Sequence, residues 1–137
     1  MYNKAKESLK NFMEAWKIKN WQIMYKHTTL TWQRNHPEYV TELPPCQQLL
    51  DGIVIRDYKI GKAHKSKDFS RVFQIPEDLN ICIDIGIEID WTAKGNSLSG
   101  TKVGDVRMLC EKDAYNLSQE GQWGVNILSL LKMKEKE

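Results

Sequence analysis

The sequence predicts an α+β fold, with N-terminal helices packed on one strongly curved, mostly antiparallel β-sheet. Three observations predict it. Helical periodicity is confined to residues 3–51, an alternating pattern takes over from Ile53, and one long stretch, Leu79–Thr92, alternates without a break. In that stretch Leu79, Ile81, Ile83, Ile85, Ile87, Ile89 and Trp91 fall on one face. Asn80, Cys82, Asp84, Gly86, Glu88, Asp90 and Thr92 fall on the other. Successive side chains of a strand point to opposite faces, so one side of this strand is apolar and needs a cover. Burying that row is worth on the order of 10–20 kcal/mol before chain entropy is subtracted.

The helices come first. Ala5, Leu9, Phe12, Met13 and Trp16 form the stripe of an amphipathic helix over Asn3–Lys19, with Asn3 as its cap. The stripe breaks at Lys19-Asn20 and restarts as Trp21, Met24, Tyr25 and Thr28, which predicts a sharp joint and a second helix to Leu30, capped by Asn20. Thr31–Leu43 has no clear period, and Pro37 turns His36 away from helical geometry, so this segment reads as an irregular crossing. Pro44-Pro45 opens a short third helix, Cys46–Leu50, ended by Asp51-Gly52.

The strands follow. Ile53–His64 is apolar on both faces, Phe69–Ile75 is a second strand, and the turn Pro76-Glu77-Asp78 leads into Leu79–Thr92. Lys94-Gly95-Asn96 makes the next turn, and Thr101–Lys112 is a strand whose alternation slips near Gly104, as at a bulge or bend. Gln122–Lys132 reads as the last strand, apolar on both sides, followed by a solvated tail, Lys132–Glu137. The expectation is a meander of five consecutive strands after three helices. No repeat or internal linker interrupts residues 1–137, which read as one domain with helices over 3–51 and the meander over 53–132.

Composition excludes several classes. Hydrophobic residues at 41% and charged residues at 28% are globular values, and a net charge of +2 is too small to imply a nucleic-acid or membrane partner. No apolar run is long enough to span a bilayer, and the charges at Lys4, Lys6, Glu7 and Lys10 are not those of a signal peptide, so a cytoplasmic location is expected. Cys46, Cys82 and Cys110 have no CxxC spacing and read as buried thiols. His27, His36 and His64 form no metal-ligand spacing and no nucleophile dyad. No catalytic residue, metal or cofactor is assigned. The basic group Lys59, Lys62, His64, Lys65, Lys67 and Arg71 reads as a solvated hairpin tip, because too few aromatics interleave it for nucleic acid.

A long first helix, a break at a small polar residue, a second helix, a short third helix and a curved meander together resemble the nuclear transport factor 2-like (cystatin-like cone) superfamily. The closing segment Glu120-Gly121-Gln122-Trp123-Gly124-Val125-Asn126-Ile127 is similar to that superfamily's last strand. The resemblance implies a cone with a pocket between the helices and the concave sheet. It does not select a function, since members include isomerases, cyclases, export adaptors and domains of conjugation or secretion machinery. The residues that would line such a pocket are Trp21, Tyr25, Trp32, Tyr58, Trp91, Asp105, Arg107 and Trp123; the aromatics read otherwise as core packing, and Asp105 and Arg107, on one face with Val103 and Leu109, as a cross-strand ion pair. Asp84, Glu88 and Asp90 point away from the helices and read as outer-face residues. The expected function is non-catalytic binding of a partner protein or small apolar ligand, as a homodimer joined through the sheet. The alternatives are a small-pocket isomerase, cyclase or dehydratase, and a soluble domain of a conjugation or secretion apparatus.

Overall fold

The structure, a computed structural model, describes residues 2–38, 42–66, 80–95, 98–111 and 121–136. Helix α1 (Asn3–Lys17) turns Leu9, Phe12, Met13 and Trp16 inward, all essentially inaccessible to water. Asn3 is its first helical residue and does not cap it; Tyr2 holds the cap position without a side-chain bond. The joint falls where the sequence places it. Lys19 adopts a left-handed φ of 58°, and the side chain of Asn20 accepts a hydrogen bond from the Ile23 amide at 3.2 Å, starting α2 (Trp21–Lys26).

The segment expected to be irregular contains a third helix, α3 (Leu30–Asn35), capped by the hydroxyl of Thr29. The helix opened by Pro44-Pro45 is α4 (Pro45–Leu50).

Strands β1 (Ile53–Lys65), β2 (Asn80–Ala93) and β3 (Ser99–Glu111) pair antiparallel side by side. The expected strand Phe69–Ile75 and its Pro76 turn lie outside the described residues; β1 pairs directly with β2, from Ile53 opposite Ala93 to Lys65 opposite Ile83. The expected bulge at Gly104 is absent, since β2 and β3 stay in register throughout. The irregularities are in β1 instead, at Arg56 and at Gly61-Lys62, and the sheet curls. Gly104 interrupts the apolar alternation because Met133 packs on its core side, 3.2 Å from where a Cβ would stand.

The last strand expected over Gln122–Lys132 is three elements. Strand β4 (Gln122–Val125) pairs with the Met108–Glu111 end of β3, α5 (Ile127–Leu130) is one helical turn capped by Asn126, and β5 (Lys134–Glu135) returns to the same edge at Lys102 and Val103. The residues read as a solvated tail therefore extend the sheet.

The two faces of the sheet differ as the alternation requires. Ile83, Ile85, Ile87 and Ile89 of β2 and Val106 and Met108 of β3 are buried in one core with α1, α2 and α4. Trp16 fixes α1 over β1 by donating its indole N–H to the Ile53 carbonyl at 3.1 Å, and Tyr58 donates its hydroxyl to Glu14 at 2.6 Å. The outer face is half covered. There Glu88 accepts from Lys136 at 2.7 Å and Asp90 from Thr101 at 2.8 Å. Among the described residues no helix is long and apolar enough to cross a membrane.

Candidate functional site

The segment after α2 crosses from the helical layer to the outer face of the sheet. The Val125 amide donates to the His27 carbonyl and the Thr29 amide to the Val125 carbonyl, so this segment runs beside β4 as a parallel bridge. The crossing is close at Gly124, where a Cβ would stand 2.4 Å from the Thr28 carbonyl oxygen. Only glycine leaves that space.

Once across, α3 is held from its N-terminal end by Glu111. This carboxylate, buried at the end of β3, accepts from the Leu30 amide at 2.7 Å, from the Thr31 amide at 3.3 Å and from the Thr31 hydroxyl. A negative charge on the free amides of a helix start is favourable both as hydrogen-bond acceptor and against the helix dipole. The other end is held by Tyr25, whose one hydroxyl proton is shared between the carbonyls of Gln33 and His36, 2.9 and 2.8 Å away. Trp32 is buried and stacks on the His36 imidazole, with centroids 4.5 Å apart and planes 18° from parallel. His36 donates Nδ1–H to the Trp32 carbonyl at 3.0 Å, which fixes the orientation of the ring.

Facing α3 across the outer surface is α5. It bridges the gap along the β3 edge between β4 and β5, and its polar atoms satisfy the backbone of Arg107. The Arg107 amide donates to Ser129 Oγ at 3.0 Å, and its carbonyl accepts from the Asn126 amide at 2.8 Å. The Arg107 side chain then lies over the outer face and grips Asp84 with two bonds, Nε to Oδ1 at 3.0 Å and Nη2 to Oδ2 at 3.3 Å. The two side chains are 21% and 14% exposed, so this fork-on-fork pair is shielded from the solvent that weakens surface ion pairs.

Between α3, the sheet and α5 lies a cleft of about 630 Å³. Trp32 and His36 form one wall, Leu128 and Ser129 the other, and Asp84, Arg107 and Leu109 the floor. Leu109 and its cross-strand partner Cys82 are only 1% and 4% exposed although they point outward. The outer sheet face here is a second apolar layer.

Three of the eight expected pocket residues meet in this cleft: Trp32, Asp105 and Arg107. The other five do not line it. Tyr25 anchors the end of α3, and Trp21, Tyr58, Trp91 and Trp123 pack at the margin of the core. Lys17 sits over the Tyr58 ring at 5.9 Å, Lys102 over the Trp91 ring at 5.0 Å, and the Trp123 carbonyl accepts from the Ser8 hydroxyl at 3.0 Å. Burial and the hydrogen bond to Glu14 push the Tyr58 phenol above its ordinary range. Asp84, read as an outer-face residue, is on that face but at the cleft floor and not in open solvent. Glu111, Asn126 and Ser129 were not among the expected residues, because each acts on a strand or helix end distant in sequence.

Two other sets of reactive groups have structural explanations. Ser8 Oγ lies 3.4 Å from His27 Nδ1, but its one proton goes to the Trp123 carbonyl, so the pair is not arranged as a base and nucleophile. Burial, then the nearby Lys26 charge, lowers the His27 pKa. Cys46, Cys82 and Cys110 are buried free thiols, as their spacing predicts. Burial, with the charge of Glu38, pushes Cys46 up to about 12, and burial also raises Cys82; both are poor nucleophiles.

Comparison with family models, with curated proteins and with solved structures finds no match to this chain.

Proposed function

We propose that this chain is a non-catalytic binding domain whose cleft between α3 and α5 takes one small, partly apolar molecule carrying a polar group. The observation that carries this reading is the Asp84–Arg107 pair on the floor of a cleft of about 630 Å³ walled by Trp32 and Leu128. That volume falls within the range of small-molecule sites, and a few fixed polar groups among apolar walls are what orient a ligand in them. Binding is favoured over an isomerase- or cyclase-like reaction because Asp84, the least exposed carboxylate of the cleft, has both oxygens engaged by Arg107.

A small ligand is also favoured over a sheet-to-sheet homodimer. The outer face that such a dimer would use is bordered by α3 and α5, which wall the cleft over it, and Cys82 near its centre is already buried within the chain. We retain the nuclear transport factor 2-like superfamily as the proposed fold family. The jointed α1–α2 pair and the long bulged strands after the helices support it. The cleft departs from the pocket that resemblance implies, since it opens on the face turned away from α1.

A screen of fragment-sized compounds by thermal shift tests the reading, repeated on Leu128→Trp, which fills the cleft from an exposed position. Hits that stabilise the wild-type chain and lose their effect in Leu128→Trp are expected. Hits that stabilise both chains equally, or no hit at all, overturn it.

A further inference from the structure

We propose that His64, Asp84 and Asp105 form a binding site for a first-row divalent cation, of the zinc or manganese type, at the rim of the cleft. The three residues come from β1, β2 and β3, which lie side by side. His64 stands opposite Asp84, and Asp105 stands opposite Gly86, two residues further along β2, so all three side chains emerge on the outer face. One ligand atom from each lies within 4.8 Å of the other two.

The spacing suits a shared ion better than direct contact. His64 Nε2 is 4.0 Å from Asp105 Oδ2, beyond hydrogen-bond reach. Two ligands each about 2.1 Å from a common ion are separated by roughly 3–4 Å. The surroundings leave room. Gly86, between the two carboxylates, carries no side chain, and a Cβ there would stand 3.8 Å from Asp105 Oδ1. The irregularity at Gly61-Lys62, where two residues of β1 oppose one of β2, adds one extra residue to β1 just before His64 and sets its register against Asp84.

Arg107 does not remove Asp84 from this set. Each carboxylate oxygen has two lone pairs, and Arg107 uses one on each. Metal-ligating carboxylates are ordinarily held by such a partner, which makes Arg107 a positioning residue. Two carboxylates and one imidazole suit zinc or manganese, whereas calcium and magnesium take oxygen ligands. Asp84 and Asp105 both line the cleft, so open coordination positions of a bound ion would face it. The cation site needs no second ligand, and its failure would leave the cleft reading standing.

Calorimetric titration of the full chain with zinc chloride, and amide NMR with manganese chloride, test the site. One equivalent of zinc is expected to bind, and manganese to broaden the amides of His64, Gly86 and Asp105 first. His64→Ala and Asp105→Asn, both at side chains more than half exposed, should keep the fold by circular dichroism and each weaken zinc binding by more than about tenfold. No uptake at about 1 mM metal, uptake unchanged in both variants, or broadening centred elsewhere overturns the proposal.

Discussion

Gly124 shows how much one missing side chain decides. Its Cβ would meet the Thr28 carbonyl at 2.4 Å and the Thr29 Cα at 2.7 Å, and backbone cannot swing aside as a side-chain tip can. Gly124→Ala is therefore expected to lose at least the upper part of the about 1–3 kcal/mol typical of overpacking, measured by urea unfolding. His27 sets a pH dependence whose sign follows from its surroundings. Its folded pKa lies below the usual 6.5, so between the two values the unfolded chain binds more protons than the folded one. Stability contributed at this site is present above pH 6.5, is lost as pH falls through that value, and levels off below the folded pKa. The melting temperature of the wild-type chain should accordingly drop more between pH 7.5 and 5.5 than that of His27→Gln. The sequence marks Gly124 only as part of a Gly-x-Trp-Gly hairpin, because the segment that crowds it is distant in the chain.

Two elements leave little trace in the sequence for the same physical reason: each is too short to show its own period. In α3, Thr29 is a legitimate cap, but six residues carry little periodicity, and the rest of its N-terminal support comes from Glu111, 81 positions from Leu30. Glu111→Ala strips the acceptor from two amides and a hydroxyl in a buried place. A loss of about 2–3 kcal/mol is expected, with loosening of Trp32 visible in its fluorescence. In α5, the Asn126 cap and the i, i+3 pair Ile127 and Leu130 were legible, yet the flanking β-branched residues fit a strand equally well. The chain end is exposed, as its charges suggest, but those charges suit an edge strand as well as a free tail, so the pairing of Lys134–Glu135 leaves no signal. The Lys136 amide donates to the Thr101 carbonyl at 2.7 Å, so it should exchange slowly with deuterium, where a frayed tail would exchange at once.

At the scale of the molecule, the alternation of β2 is a sound guide to the layering of the fold and carries no signal of the cleft. Its row of isoleucines does lie under α1, as the hydrophobic pattern demands. The resemblance, and not this pattern, implies a pocket on that apolar side, where Phe12, Met13 and Trp16 are buried. The cleft is on the opposite face, and it exists only because the chain after α2 crosses there and the chain after β4 folds into α5. Neither event leaves a periodic signal. Arg107 and Asp105 share one face of β3 with Val103 and Leu109, whereas Asp84 and His64 join them only through strand register, about twenty residues apart at each step. The central claim is that this outer cleft, and not the helix-facing core, receives the ligand. Amide and indole NMR shifts, recorded while a stabilising fragment is titrated in, test it most directly. Saturating shifts are expected at the Trp32 indole and the Arg107, Leu109 and Leu128 amides. Shifts gathered instead around Trp16, Tyr58 and Trp91 would contradict it.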